Sequence, residues 1–157
     1  MDFFTIFKMR FLSFFRDVFV YHTSSLEFRA KVLASVIATN KAITPCEDEI
    51  LKDIAKNIYK NDKARANILV QVTKEYVDKI IEKNELDINS LIKNIDTQLS
   101  STKRFAYKIN IKELKRLAEC NKDEEETYIL QKRVIEFLQL EIKEYSCKKS
   151  LKTKSTK

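Results

Sequence analysis

Carboxylates are concentrated in two short polar segments of this chain, and they are the side chains best suited to chemistry. The first segment reads ATNKAITPCEDE, and the second, CNKDEEE, follows much later. Hard divalent cations such as Ca²⁺ prefer several oxygen ligands from a flexible loop, and Zn²⁺ also accepts carboxylate oxygen. The candidate metal ligands are Asn40, Glu47, Asp48, Glu49, Asn121, Asp123, Glu124, Glu125 and Glu126. A calcium or zinc site is therefore conceivable if the two segments meet in space.

The same carboxylates have a second explanation as helix caps. Thr44 is a natural N-cap, Pro45 suits the first helical position, and Glu47 can close a capping box. The acidic residues that follow lie at the positive end of the helix dipole, where each stabilises by about 0.3–1 kcal/mol. Because Lys41 and Lys122 bring a competing cation to each segment, we expect capping rather than metal binding.

No set of side chains in the sequence suggests catalysis or a required cofactor. His22 is the only histidine, so a nucleophile–histidine–acid triad would have to use it, and it lies in a linker. The chain contains no glycine, which excludes the phosphate-binding loops of Rossmann and P-loop proteins. We therefore expect a protein that is not an enzyme.

The three cysteines, Cys46, Cys120 and Cys147, are odd in number and widely spaced. This is not the pattern of a disulfide framework or a zinc ribbon, and it favours a reducing, cytoplasmic compartment. Cys46 and Cys120 each lie beside one acidic segment. Their thiols would approach each other if the segments packed together, as a redox-sensitive or soft-metal pair, but we expect chance placement.

Helical periodicity extends over most of the chain, and the absence of glycine argues against tight β-hairpins. The sequence predicts an all-α, single-domain bundle of about seven helices. A central helical hairpin spans residues 28–59, with apolar stripes that include Val32, Leu33, Val36 and Ile37 in its first helix. Further helices are predicted at 63–83, 88–100, 103–120 and 127–145, the last with an apolar set that includes Ile129.

Two terminal segments differ from this domain, which we place at residues 23–146. Residues 3–21 hold seven of the ten phenylalanines, within a terminal segment 1–22 that we expect to form one amphipathic helix. Its apolar face comprises Phe4, Phe7, Phe11, Phe14, Phe15 and Val18. This face fits a helix docked on the core, an interfacial membrane helix or a partner-binding helix. Interruption by charged residues excludes a membrane span.

The basic residues are concentrated at the other end of the chain. Residues 147–157 read as a disordered basic tail with five lysines, and without it the chain has 25 basic and 23 acidic residues. A nucleic-acid binder is expected to place its basic residues on a folded face instead. We therefore expect no nucleic-acid partner.

The two acidic segments look like bends of an internal duplication. Both follow an apolar helix, contain the same Asn-Lys pair (Asn40-Lys41 and Asn121-Lys122), and lead through carboxylates into another amphipathic helix. Residues 26–145 resemble the TerB-like family, the tellurite-resistance-associated helical domain also found in DjlA-type membrane co-chaperones. Ile43, Thr44, Pro45 and Glu47 match its bend pattern, whereas the Asn-Lys pairs replace an Asp-Gly pair.

The resemblance implies that the two bends are related by pseudo-symmetry and meet in a metal-linked or anionic surface. It also implies a non-enzymatic protein-interaction module with a stress-response or co-chaperone role and a protein partner. Two alternatives remain open. One is a peripheral protein at the inner face of the membrane, attached by its N-terminal helix, and the other is a divalent-metal-binding helical domain.

Overall fold

The computed structural model describes residues 24–154, with side chains described for residues 25–146. Within this range the chain forms six α-helices and one 3-10 helix, and no strand. They are α1 (Ser24–Ile37), α2 (Pro45–Ile58), α3 (Lys63–Ile81), α4 (Ile88–Ser101), the 3-10 helix (Lys103–Lys108), α5 (Ile111–Glu119) and α6 (Glu125–Lys154). The predicted all-α, single-domain bundle is confirmed. The Phe-rich face of residues 3–21 and His22 lie outside the described residues.

Helix α1 lies at the centre of the bundle, and its second half is buried on every side. The predicted stripe of Val32, Leu33, Val36 and Ile37 is buried, and so are the small residues between and after them. The Ser35 hydroxyl donates to the Val32 carbonyl oxygen at 2.6 Å, which satisfies a polar group in this apolar setting. Helices α3, α4, α5 and α6 and the 3-10 helix all pack against α1.

Side-chain caps define where the helices begin. Thr44 and Glu47 form the predicted capping box, in which each side chain accepts a hydrogen bond from the other residue's backbone N–H. Asp62 caps α3 and Asp87 caps α4. Each cap satisfies an N–H group that the helix itself leaves without an acceptor.

The segment 103–120, predicted as one helix, is instead divided into the 3-10 helix and α5. Ile109 adopts an extended backbone between them and buries its side chain. Asn110 then caps α5 by accepting from the Glu113 N–H at 3.3 Å. The prediction missed this break because Ile109 also fits the helical apolar stripe, and an asparagine within a helical pattern gives only a weak capping signal.

Helix α6 crosses the bundle and is fixed at two points. Near its start, the Gln131 side chain donates to the Val36 carbonyl oxygen of α1. Farther along, the Tyr145 hydroxyl donates to Asp96 Oδ1 of α4 at 3.0 Å. Burial and the neighbouring Asp96 carboxylate raise the pKa of Tyr145 to about 12. The α6 backbone continues to Lys154, past the position where the disordered tail is predicted to begin.

Two leucines of α6 provide a matched test of this packing. Leu138 is fully buried, whereas Leu140 is 66% exposed on the same helix. Leu138→Ala is expected to lower the free energy of unfolding by about 3 kcal/mol through lost burial and a residual cavity. Leu140→Ala should change it by less than about 0.5 kcal/mol. Urea unfolding of both variants measures the difference, and equal losses would contradict the orientation of α6.

Candidate functional site at the two bends

The two acidic bends meet in the folded chain. Asn40 Nδ2 donates to Asn121 Oδ1 at 3.3 Å, which joins the two Asn-Lys pairs directly. Beside this contact a disulfide links Cys46 to Cys120, with their Cα atoms 5.8 Å apart. The expectation that these cysteines are placed by chance is therefore wrong. The reason is topological, because residues 74 positions apart in sequence lie at the same end of the bundle.

The backbone positions the two asparagines in the same way. The Asn40 N–H donates to the carbonyl oxygen of Ile37, three residues earlier at the end of α1. The Asn121 N–H donates to Ala118, also three residues earlier, at the end of α5. Each asparagine therefore lies in a tight turn that ends a buried helix, with its side chain directed at the other bend.

Beneath the asparagines lies a buried polar pair, Glu47 and Gln131, both 0% exposed. Glu47 Oε1 accepts from the Thr44 N–H at 3.1 Å and from Asn40 Nδ2 at 3.2 Å. Glu47 Oε2 accepts from Gln131 Nε2 at 3.2 Å. The carboxylate is thus surrounded by donors, as a buried charge requires.

Gln131 connects this carboxylate to the rest of the site. Its Nε2 also donates to the Val36 carbonyl oxygen of α1, and its Oε1 accepts from Asn121 Nδ2, both at 3.2 Å. One amide therefore bonds to both bends and to the central helix. We call Asn40, Glu47, Asn121 and Gln131 the bend network.

Of the nine predicted metal ligands, the bend network brings together three: Asn40, Glu47 and Asn121. Two amide NH₂ groups, rather than additional oxygens, are directed at the Glu47 carboxylate. The remaining candidates are distributed over the surface: Glu49, Asp123, Glu124, Glu125 and Glu126 are exposed. Among the described side chains, no group of three or more carboxylates, histidines or cysteines is placed to share a metal ion.

Asp48, the ninth candidate, belongs to an ion-pair cluster on the outside of α2. Lys52 Nζ lies 2.8 Å from its Oδ2, and Lys74 Nζ of α3 lies 2.5 Å from its Oδ1. Hydrogen bonds from these two lysines lower the pKa of Asp48. The Asp48 carboxylate therefore joins α2 to α3 through these lysines.

Gln131 is a site residue that was not predicted from the sequence. Its position could have indicated a role, because Gln131 falls between apolar residues on the buried side of α6, where Val134, Ile135 and Leu138 follow it. A glutamine within a buried stripe must find partners for its amide. The sequence does not reveal that those partners are Glu47 and Asn121, which belong to distant segments.

A second surface of interest runs along the outer side of α6. Ile129, Leu130 and Leu140 are 44%, 42% and 66% exposed, respectively. Ile129 was predicted to be part of the core, and the structure corrects this because α6 buries the side that carries Gln131, Val134 and Leu138. We call Ile129, Leu130 and Leu140 the outer α6 stripe.

Within residues 24–154, every helix is too short or too polar to span a bilayer. Comparison of the chain with protein-family models, with curated proteins and with solved structures finds no match.

Removal of the Gln131 amide tests the bend network. Gln131→Ala should lower the free energy of unfolding by about 2–3 kcal/mol, since Glu47 Oε2 and the Val36 carbonyl would lose a donor in a buried setting. Gln139→Ala, on the exposed side of the same helix, is the control and should change it by less than about 0.5 kcal/mol. Similar small effects in both variants would show that the network contributes little to stability.

The disulfide contributes to the stability of the fold separately from the bend network. Because Cys46 and Cys120 are 74 residues apart, their bond restricts a long loop of the unfolded chain. The double variant Cys46→Ser/Cys120→Ser is expected to lose about 4 kcal/mol, which corresponds to a fall of about 10 °C in Tm. Cys147→Ser serves as the control. Thermal unfolding followed by circular dichroism, without reductant, measures both, and an unchanged Tm of the double variant would contradict the bond.

Proposed function

We propose that this chain is a non-enzymatic, TerB-like protein-interaction module with a stress-response or co-chaperone role, and that it binds an amphipathic helix of a partner protein. The outer α6 stripe is the observation that carries the proposal. Its three large apolar side chains are solvent-exposed on a helix that the bundle holds at two points. Ile129 and Leu140 lie on one side of α6 about three turns apart, so that a second helix laid along this side would meet an apolar contact at each end.

The charges around the outer α6 stripe favour a protein partner over a lipid or nucleic-acid surface. Exposed basic and acidic residues alternate beside it: Lys132, Arg133 and Lys143, and Glu126, Glu136 and Glu144. An anionic membrane or a phosphate backbone would be matched by an excess of cations. The mixture of both signs, with Arg133 and Glu136 between Ile129 and Leu140 on the same side, instead suits a protein partner that offers polar as well as apolar contacts.

The absence of enzymatic activity is part of the proposal, and the polar groups at the bends support it. The Glu47 carboxylate and the amides of Asn40, Asn121 and Gln131 bond to one another beneath the surface. A carboxylate surrounded by donors in a buried site is suited to holding two segments together. It is poorly placed to transfer a proton to a substrate, which requires contact with the reacting group.

A photo-reactive residue introduced at Leu140 of the full-length chain tests the proposal in cells. On irradiation we expect a covalent adduct with one defined protein, and the added substitution Ile129→Asp should reduce its yield at least tenfold. The same photo-reactive residue at Lys56, exposed on α2, is the control and should not give that adduct. Equal adducts from both positions, or none from Leu140, would contradict the proposal.

A vesicle experiment distinguishes the proposed protein-binding function from the alternative of peripheral membrane attachment. The full-length chain is sedimented with neutral vesicles and with vesicles containing anionic lipid, at two salt concentrations. We expect little sedimentation under either condition. Salt-sensitive sedimentation with anionic vesicles, unaffected by Ile129→Asp, would favour attachment through residues 3–21 instead.

A further inference from the structure

The disulfide between Cys46 and Cys120 lies at the surface, across the two bends. Cys46 is exposed in the first turn of α2, immediately after Thr44 and Pro45, and Cys120 is half-buried at the end of α5. A disulfide in such a position is accessible to an external thiol, which must approach a sulfur directly in order to exchange with it.

The bend network holds the same two bends together without the sulfur atoms. Asn40 bonds to Asn121, and Gln131 bonds to Glu47 and Asn121, all within hydrogen-bond distance. Cleavage of the disulfide would therefore leave the two thiols side by side on a folded chain. Two groups held in this way react at a high effective concentration, so the bond can form again without refolding.

We propose that Cys46 and Cys120 form a reversible thiol–disulfide exchange site, whose redox partner is a small-molecule or protein disulfide such as glutathione disulfide. This inference goes beyond the proposed binding function and does not depend on it. It assigns a role to the two cysteines that lie beside the bends. It also makes the covalent link between the start of α2 and the end of α5 depend on the redox state.

The exchange proceeds in two balanced steps. In oxidation, the thiolate of the exposed Cys46 attacks one sulfur of glutathione disulfide and expels one glutathione thiolate. The Cys120 thiolate then attacks Cys46 Sγ and expels the second glutathione thiolate. The protein dithiol loses two electrons and two protons, and glutathione disulfide gains both as two glutathione thiols. Reduction is the reverse.

A change in the redox state of Cys46 and Cys120 should affect the two bends rather than the core. With the bond formed, the turn after α1 and the turn before α6 are tied covalently at Cys46 and Cys120. With the bond reduced, only the hydrogen bonds of the bend network join them. Local opening of residues 40–47 and 120–124 should therefore become more frequent, while the helices remain folded.

Equilibration of the full-length chain in buffers of graded glutathione to glutathione disulfide ratio tests the exchange. Remaining thiols are trapped with acid and labelled with a maleimide polymer. We expect the free thiols of Cys46 and Cys120 to be oxidised together, in a single transition. The effective concentration of one thiol at the other should be about 1000-fold higher in the native chain than in concentrated urea. Cys147→Ser should leave this transition unchanged.

Single-cysteine variants, each made in a Cys147→Ser background, test the order of attack. Cys120→Ser should accumulate a mixed disulfide with glutathione at Cys46, whereas Cys46→Ser should form its adduct at Cys120 at least tenfold more slowly. The opposite order would overturn the assignment of Cys46 as the attacking sulfur.

Hydrogen exchange of the reduced and oxidised wild-type chains completes the test. Reduction should speed amide exchange in residues 40–47 and 120–124 through local opening, whereas exchange around Leu69 in the core should change only by the fall in global stability. The proposal is overturned if the two thiols stay equally reactive in native buffer and in urea, or if the bond cannot be reduced without loss of helical structure.

Discussion

A buried carboxylate needs hydrogen-bond donors, and this requirement determines how the bend network is arranged. Glu47 is fully buried, and its two oxygens accept from the Thr44 backbone, Asn40 and Gln131. An ionised carboxylate in an apolar interior without such partners would cost several kcal/mol. The two bends and the start of α6 must therefore be placed together for the chain to fold as it does.

The same carboxylate serves two structural purposes. As the capping-box residue it ends the turn between α1 and α2, which is a local role readable from the TPCE spacing. As the acceptor for Gln131 it joins two segments that are 84 residues apart, which is a tertiary role. The disulfide then covers this buried network at the surface. The bends are thus held by a capping box, by side-chain amides and by a covalent bond.

The sequence predicts the local features of this structure better than the contacts between distant segments. Local signals were reliable: the helical periodicity and the capping box of Thr44 and Glu47 were both predicted. The break at Asn110 was not predicted, because Ile109 satisfies a helical stripe and a buried extended position equally well. Ile129 was assigned to the core because an apolar residue in a helical stripe does not itself indicate which side of the helix is covered.

The site required information that no local pattern contains. Asn40 and Asn121 were linked by their shared Asn-Lys pairs, and the family resemblance implied that their bends meet. Gln131 was missed, since its partners lie on distant segments, and the pairing of Cys46 with Cys120 followed only from the packing of α2 against α5.

A double-mutant cycle between Glu47 and Gln131 tests the central claim most directly. The free energies of unfolding of Glu47→Ala, Gln131→Ala and the double variant are compared with that of the wild-type chain. If the two side chains bond in the interior, their coupling energy should be about 1–2 kcal/mol. Effects that add within about 0.3–0.5 kcal/mol would show that Glu47 and Gln131 act independently, and would contradict the joined bends on which this account depends.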